Sequence, residues 1–140
     1  DANHEPQVDV VAHSLGGVVA RLAVAHESTA KRVHTLITLG APHGGTYPAR
    51  FANTRITKEL RPDSPLMRSL RRQPWPRQIR GVTLWSKNDL FVLPPESAIL
   101  SGTKKIDMTP FTHYSYLIEP KSWETVRREL GASNHARKKL

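Results

Sequence analysis

The chain has 140 residues, no cysteine and a formal net charge of +9 at pH 7. That length suits one domain with a buried core, and the missing cysteine excludes both a disulfide framework and a thiolate metal site. No stretch approaches the ~20 apolar residues of a membrane-spanning helix. The surplus charge raises the question of a nucleic-acid partner. Basic residues gather in two places, from Arg50 to Arg80 and in Arg137, Lys138 and Lys139. Neither carries an RNA-binding aromatic signature, a zinc finger or a helix-turn-helix. A solvated basic face is the favoured reading, attraction to an anionic lipid interface the second, and nucleic acid is disfavoured.

In chain order, Val8, Val10, Val11 and Ala12 form a short apolar, β-branched run, the signature of a strand covered on both faces. Val18, Val19, Leu22 and Ala23 then recur at helical spacing, which predicts a helix over 15–26. Val33 to Leu39 reads as a second strand, closed by the breaker-rich Gly40-Ala-Pro-His-Gly-Gly-Thr46. From 47 to 78 the apolar residues Ile56, Leu60, Leu66, Met67 and Leu70 recur in helical pieces cut by Pro62, Pro65 and Pro74, the pattern of a cap of short helices. A third strand is expected over 81–86, a turn at Lys87-Asn88-Asp89, a brief helix over 94–100, a last strand over 104–108 and a last helix over 120–130. A basic, frayed tail is expected over 132–140. Strands alternating with helices imply the α/β class, a parallel sheet flanked by helices, whose ligands bind at the carboxyl ends of the strands.

Ser14 stands where the first strand hands over to the first helix. A sharp turn there lifts the serine out of the sheet, and Ala12 and Gly16 are expected to be small so that the backbone can fold back. The first N–H groups of the helix are orphaned. That of Leu15 is placed to donate to an oxygen that becomes negative during acyl transfer.

A serine hydroxyl needs a base to remove its proton and a third group to orient that base. Of seven histidines, His13 adjoins the serine and its side chain should diverge from it, leaving a packing or supporting role. His4 and His135 belong to the polar ends, and His26 and His34 to the opposite end of the sheet. His113, in the loop Thr109-Pro-Phe-Thr-His-Tyr-Ser-Tyr116, opens on the edge that carries Ser14 and is favoured as the base over His43, whose setting suits the shaping of a turn. Asp89, directly after the third strand, is favoured as the orienting acid over Asp63 in the cap and Asp107 in the last strand, the alternative being a turn-forming Asn-Asp pair.

Ala12-His-Ser-Leu-Gly-Gly17 resembles the G-x-S-x-G nucleophile elbow of α/β-hydrolases, in a form similar to that of some bacterial lipases, with alanine for the first glycine. Leu39-Gly-Ala-Pro-His-Gly-Gly-Thr46 resembles the L-G-x-P-H-x-G-T segment of lipases and related lipid deacylases, and Asp89-Leu-Phe-Val-Leu-Pro-Pro95 the D-x-x-V-P stretch after their acid. The order serine, aspartate, histidine is also that of the family. A departure is Thr112, where a glycine often precedes the histidine.

The resemblance implies a serine esterase or lipase acting on acyl esters or lipids through an acyl-enzyme at Ser14, with neither metal nor organic cofactor. Acyl transfer to another alcohol, or a non-catalytic lipid-binding remnant, stays open. It also implies that the chain is a carboxyl-terminal fragment, because members of the family carry several strands and a second oxyanion donor before the elbow. The chain opens with Asp1 and reaches its elbow almost at once, so a leader segment cannot be judged.

Overall fold

The computed structural model describes the backbone of residues 6–137 and the side chains of residues 6–132. Asp1, His4, Lys138 and Lys139, and the side chains of His135 and Arg137, lie outside the described residues. Four strands, β1 (Val8–His13), β2 (Val33–Leu39), β3 (Arg80–Trp85) and β4 (Lys104–Asp107), form one sheet in the order β1-β2-β3-β4. Every pairing is parallel, with Ala12 beside Thr38, Ile37 beside Val82 and Leu84 beside Ile106. The helices are α1 (Leu15–Val24), α2 (Glu27–Ala30), α3 (Arg55–Glu59), α4 (Pro65–Arg72), α5 (Ser115–Ile118) and α6 (Pro120–Arg137), with single 3-10 turns at Tyr47–Phe51 and Pro95–Ala98.

Alternation along the strands divides the core between two faces. Ile37, Leu39, Val82 and Leu84 pack with Met108, Phe111 and Tyr116 under Val126 and Leu130 of α6. On the other face Leu36, Val24, Ala30 and Ile79 pack with Ala20 of α1 and Trp75. A third cluster, Val18 with Met67 and Leu70, fastens α4 to the flank of α1, with Leu60 packed against it. Helices therefore cover both sides of a parallel sheet, as strand–helix alternation requires. β1 is an edge strand, and its Val8 and Val11 are exposed.

Local chemistry sets the element ends. Ser64 caps α4 by accepting from the Met67 N–H at 3.1 Å, Pro65 occupies the first turn, and Arg71 and Arg72 lie in the last turn against the negative end of the helix dipole. Three ends depart from the sequence reading. The first helix stops at Val24 instead of 26, because His26 adopts an extended backbone and opens α2. The expected helix over 94–100 is one 3-10 turn, held by Ser97 N–H to Pro94 O and Ile99 N–H to Glu96 O, since the two prolines that open it supply no N–H. The helix that starts at Pro120 runs to Arg137, past the expected frayed tail at 132: Gly131 costs a helix only about 1 kcal/mol and does not end this one.

Candidate active site

Ser14 carries φ 54° and ψ −127°, the only positive φ at a non-glycine position among the described residues. Such a backbone costs about 1–3 kcal/mol and persists only where its surroundings enforce it. Enforcement comes from both sides. The Ser14 N–H extends the ladder to Leu39 O at 2.9 Å, and the Gly17 N–H bonds to Ser14 O at 2.9 Å as α1 begins. The corner is tight at Gly17, where a Cβ would run into the Ala41 Cβ. At Gly16 it would meet only the Ala12 Cβ at 3.9 Å, so the sequence expectation that Gly16 must be small is corrected: the close approach belongs to the next residue. The N–H of Leu15 heads α1 with no acceptor among the described residues, as the first donors of a helix do.

The carboxyl ends of β1 and β3 and the loop after β4 bring three side chains together. His113 Nε2 lies 2.8 Å from Ser14 Oγ. Its Nδ1 lies 3.0 and 2.9 Å from the two carboxylate oxygens of Asp89. A carboxylate only accepts, so the imidazole proton sits on Nδ1 and the Nε2 lone pair faces the serine hydroxyl. Asp89 and His113 are buried, at 1% and 7% exposure, while Ser14 is half-buried and open to a reactant. Asp89 Oδ1 also accepts from the Phe91 N–H at 3.0 Å.

The other candidates sit elsewhere. His43 Nε2 meets Thr38 Oγ1 at 3.0 Å, and burial, aided by the charge of Arg21, pushes its pKa down to about 3, so the ring stays neutral. Asp107 accepts from the Thr109 N–H at 2.8 Å, and Asp63 pairs with Arg50 at 3.1 Å. None of the three reaches Ser14. His13 turns away from the serine and donates through Nε2 to the carbonyl of His113 at 2.8 Å, its ring 4.8 Å from that of His113; burial lowers its pKa.

Sequence reasoning missed several residues around this constellation. Gly40, at φ 54°, lets the backbone pass Asp89: a Cβ there would stand 2.8 Å from Asp89 Oδ2 and 2.7 Å from Tyr116 Cε2. Tyr116 is buried beside the carboxylate, and burial together with the charge of Asp89 keeps its phenol protonated well above the ordinary range. Ser86 Oγ donates to Phe111 O at 2.6 Å and accepts from the Asn88 N–H at 3.2 Å, tying the aspartate turn to the histidine loop. The rings of Phe91 and Tyr114 lie 4.8 and 5.5 Å from that of His113, and both residues are largely exposed. Gly40 stands inside the L-G-A-P-H-G-G-T segment, which is the one signal that could have drawn attention to it. Among the described residues no group of three or more His, Asp or Glu side chains is placed to hold a metal ion.

Comparison with known proteins adds the context. Residues 1–64 match the family model of the PGAP1-like alpha/beta domain. A search of curated proteins gave no match. Among solved structures, lipase B of Aspergillus fumigatus superposes with a TM-score of 0.74 at 23% identity, covering 84% of this chain and 35% of its own. The mature form of the lipase BlEst2 of Bacillus licheniformis gives 0.73 at 18% identity, covering 91% and 66%. MGS-MChE2, an alpha/beta hydrolase from a lagoon-sediment metagenome, gives 0.55 at 20% identity, covering 92% and 63%. The chain thus spans between about a third and two thirds of these structures. No helix among the described residues is long and apolar enough to cross a membrane. The likeness is one of fold: a parallel sheet flanked by helices, as in these lipases and this alpha/beta hydrolase.

Proposed function

We propose that the chain carries the catalytic serine centre of a lipase- or esterase-like hydrolase that cleaves acyl esters through an acyl-enzyme. The observation that supports this best is the unbroken line of hydrogen bonds from Asp89 through His113 to Ser14 Oγ, at 2.9 and 2.8 Å. In this reading His113 Nε2 takes the hydroxyl proton as Ser14 Oγ attacks the ester carbonyl, and Asp89 stabilises the imidazolium that forms. The Leu15 N–H donates to the oxyanion of the tetrahedral intermediate. His113 then passes its proton to the leaving alkoxide, and a water activated by the same ring releases the acid from Ser14. Substrate class follows from the surroundings: Leu15 next to the serine, and Phe91 and Tyr114 beside His113, leave apolar surface exposed, which suits an acyl chain better than a charged group. The segment 47–78 acts as a cap beside the site, fastened to α1 by Met67 and Leu70.

Labelling with a fluorophosphonate probe tests the reading. Covalent modification confined to Ser14, lost in Ser14→Ala and in His113→Ala, supports it. A chain folded by circular dichroism that leaves Ser14 unmodified overturns it.

A further inference from the structure

The arginine-rich stretch from Arg50 to Arg80 has no part in the chemistry above, and the structure divides it. Arg50 is paired with Asp63, and Arg61 donates to the carbonyls of Ala49 and Ala52. Arg71, Arg72 and Arg77 instead line one cavity of about 840 Å³. It lies between the end of α1, the end of α4 and the turn at Pro95–Ala98. Arg21 of α1 joins them, and Glu96 is the one acid among the described residues on its wall.

Charge in this cavity is not balanced. Arg21 is half-buried, and burial lowers its pKa. Its guanidinium donates to His43 O at 2.9 Å and to Leu70 O at 2.6 Å, while no carboxylate among the described residues pairs with it. Carbonyl oxygens satisfy its hydrogen bonds and leave its charge uncompensated. Arg71 likewise donates only to the carbonyls of Gly44 and Pro62. Arg72 and Arg77 have no hydrogen-bond or ion-pair partner among the described residues. His43, 1% exposed, also lines the cavity, and its buried Nδ1 lacks a partner among the described residues.

We propose that this cavity is a binding site for a phosphorylated ligand carrying at least two negative charges, separate from the serine centre. Guanidinium groups from three different segments converge on one space, and their planar forks match phosphate oxygens in pairs. The volume falls within the range of small-molecule pockets and leaves room beside Trp75 for a carbon skeleton attached to the phosphate. Arg21 and Arg71 are already spent on holding α4 and the loop after β2 in place. Arg72 and Arg77 are therefore the donors free for a ligand, and removing them does not disturb that contact.

The test is calorimetric titration of the full chain with inorganic pyrophosphate at constant ionic strength, paired with flotation on vesicles of phosphatidylcholine with and without phosphatidate. Pyrophosphate is expected to bind saturably, and R72A/R77A to weaken it by about tenfold or more. The control R55A/K58A removes the same charge from exposed α3 and should leave affinity within about twofold, the residual effect of screened surface charge. Phosphatidate-dependent flotation that R72A/R77A abolishes, without a pyrophosphate response, assigns the phosphate to a lipid headgroup; pyrophosphate binding without flotation assigns it to a soluble ligand. Equal loss in both double variants, or no response to either probe, overturns the proposal. Ser14→Ala should bind as well as the unmodified chain, which keeps this outcome apart from that of the hydrolase reading.

Discussion

Two buried carboxylates stand at opposite ends of the same sheet, each 1% exposed, and their partners differ. Glu129 of α6 meets Arg80 at the start of β3 and Lys104 at the start of β4, the lysine at 2.8 Å. Asp89, beyond the carboxyl end of β3, meets one imidazole, whose far nitrogen faces the Ser14 hydroxyl. Burying an ionised carboxylate is costly at either end unless it is paired. At the amino end Arg80 and Lys104, permanent cations on partly exposed side chains, neutralise it and pin α6 to the strands, with Arg128 of α6 itself a third cation at 3.8 Å. At the carboxyl end the partner is a single imidazole, which in the proposed mechanism becomes charged only when His113 takes the proton of Ser14. One arrangement holds the fold, and the other is suited to moving a proton.

The largest expected effect lies at the carboxyl end. Ser14→Ala should lower kcat for an acyl ester by about 10⁴ to 10⁶, with His113→Ala close behind because the two act as a unit. Steady-state kinetics with a short-chain ester measures both, and a loss under about tenfold would end the nucleophile reading. Stability should respond differently. Ser14→Gly relieves the positive φ and should raise the unfolding free energy by about 1 kcal/mol while abolishing activity.

At the amino end the signs reverse. Glu129→Ala leaves Arg80 and Lys104 without their shared carboxylate and, because both cations are partly exposed, should cost about 1.5–3 kcal/mol in urea unfolding. Turnover per folded molecule should stay close to that of the unmodified chain. A variant of full stability and reduced kcat would break the comparison, since it would place Glu129 in the chemistry.

Gly40→Ala sharpens the comparison from a third side, because the glycine supports Asp89 without taking part in its hydrogen bonds. The added Cβ meets Asp89 Oδ2 and the Tyr116 ring at 2.8 and 2.7 Å, and the positive φ adds strain. The expected cost is about 1–3 kcal/mol of stability and, through displacement of the carboxylate, roughly 10²-fold in kcat. Unchanged kinetics would mean that the loop yields and the aspartate stays put.

Ser14, Asp89 and His113 could be singled out from the sequence because each follows a predicted strand, and in a parallel sheet those ends share an edge. The same logic set aside Asp63 and Asp107; His43 also follows a strand and was set aside because its Ala-Pro-His-Gly-Gly setting suits the shaping of a turn. Gly40 and Tyr116 were not legible in this way. Their importance lies in a close approach of segments distant in sequence, which leaves no room for a Cβ at Gly40, and no periodicity records that. Gly17 was overlooked in favour of Gly16 because a turn motif tells which residues are small, not which of them faces the neighbouring strand. The reach of α6 escaped notice because the polar, basic residues from 132 onward read as a frayed tail, while a helix already anchored by Val126, Glu129 and Leu130 carries into them. The charge count gave an arginine-rich segment, but only the packing of α4 on α1 shows which arginines share a cavity.

The smallest effect concerns a histidine that never takes up the proton. His43 is held at a pKa of about 3, against 6.5 for the free side chain, by burial and by the nearby charge of Arg21. A depressed pKa in the folded state means that the unfolded chain binds the proton first as pH falls. Above pH 6.5 both states are neutral and His43 contributes no pH dependence. Below it the unfolded state gains a proton that the folded state refuses, and stability drops by up to about 1.4 kcal/mol for each pH unit until the folded ring titrates near pH 3. Other groups titrate in the same window, so the contribution is read as a difference between two chains. His43→Gln keeps a neutral polar side chain at the position and has no such proton to gain. Urea unfolding of both at pH 7, 6, 5 and 4 should show curves that run parallel between pH 7 and 6.5 and then converge, the unmodified chain losing about 2 kcal/mol more by pH 5. Curves that stay parallel to pH 4 would mean that water reaches the ring and that it shares the ordinary titration of an exposed histidine. The contrast with His113, which in the proposed mechanism takes up and releases a proton at each turnover, would then rest on His113 alone.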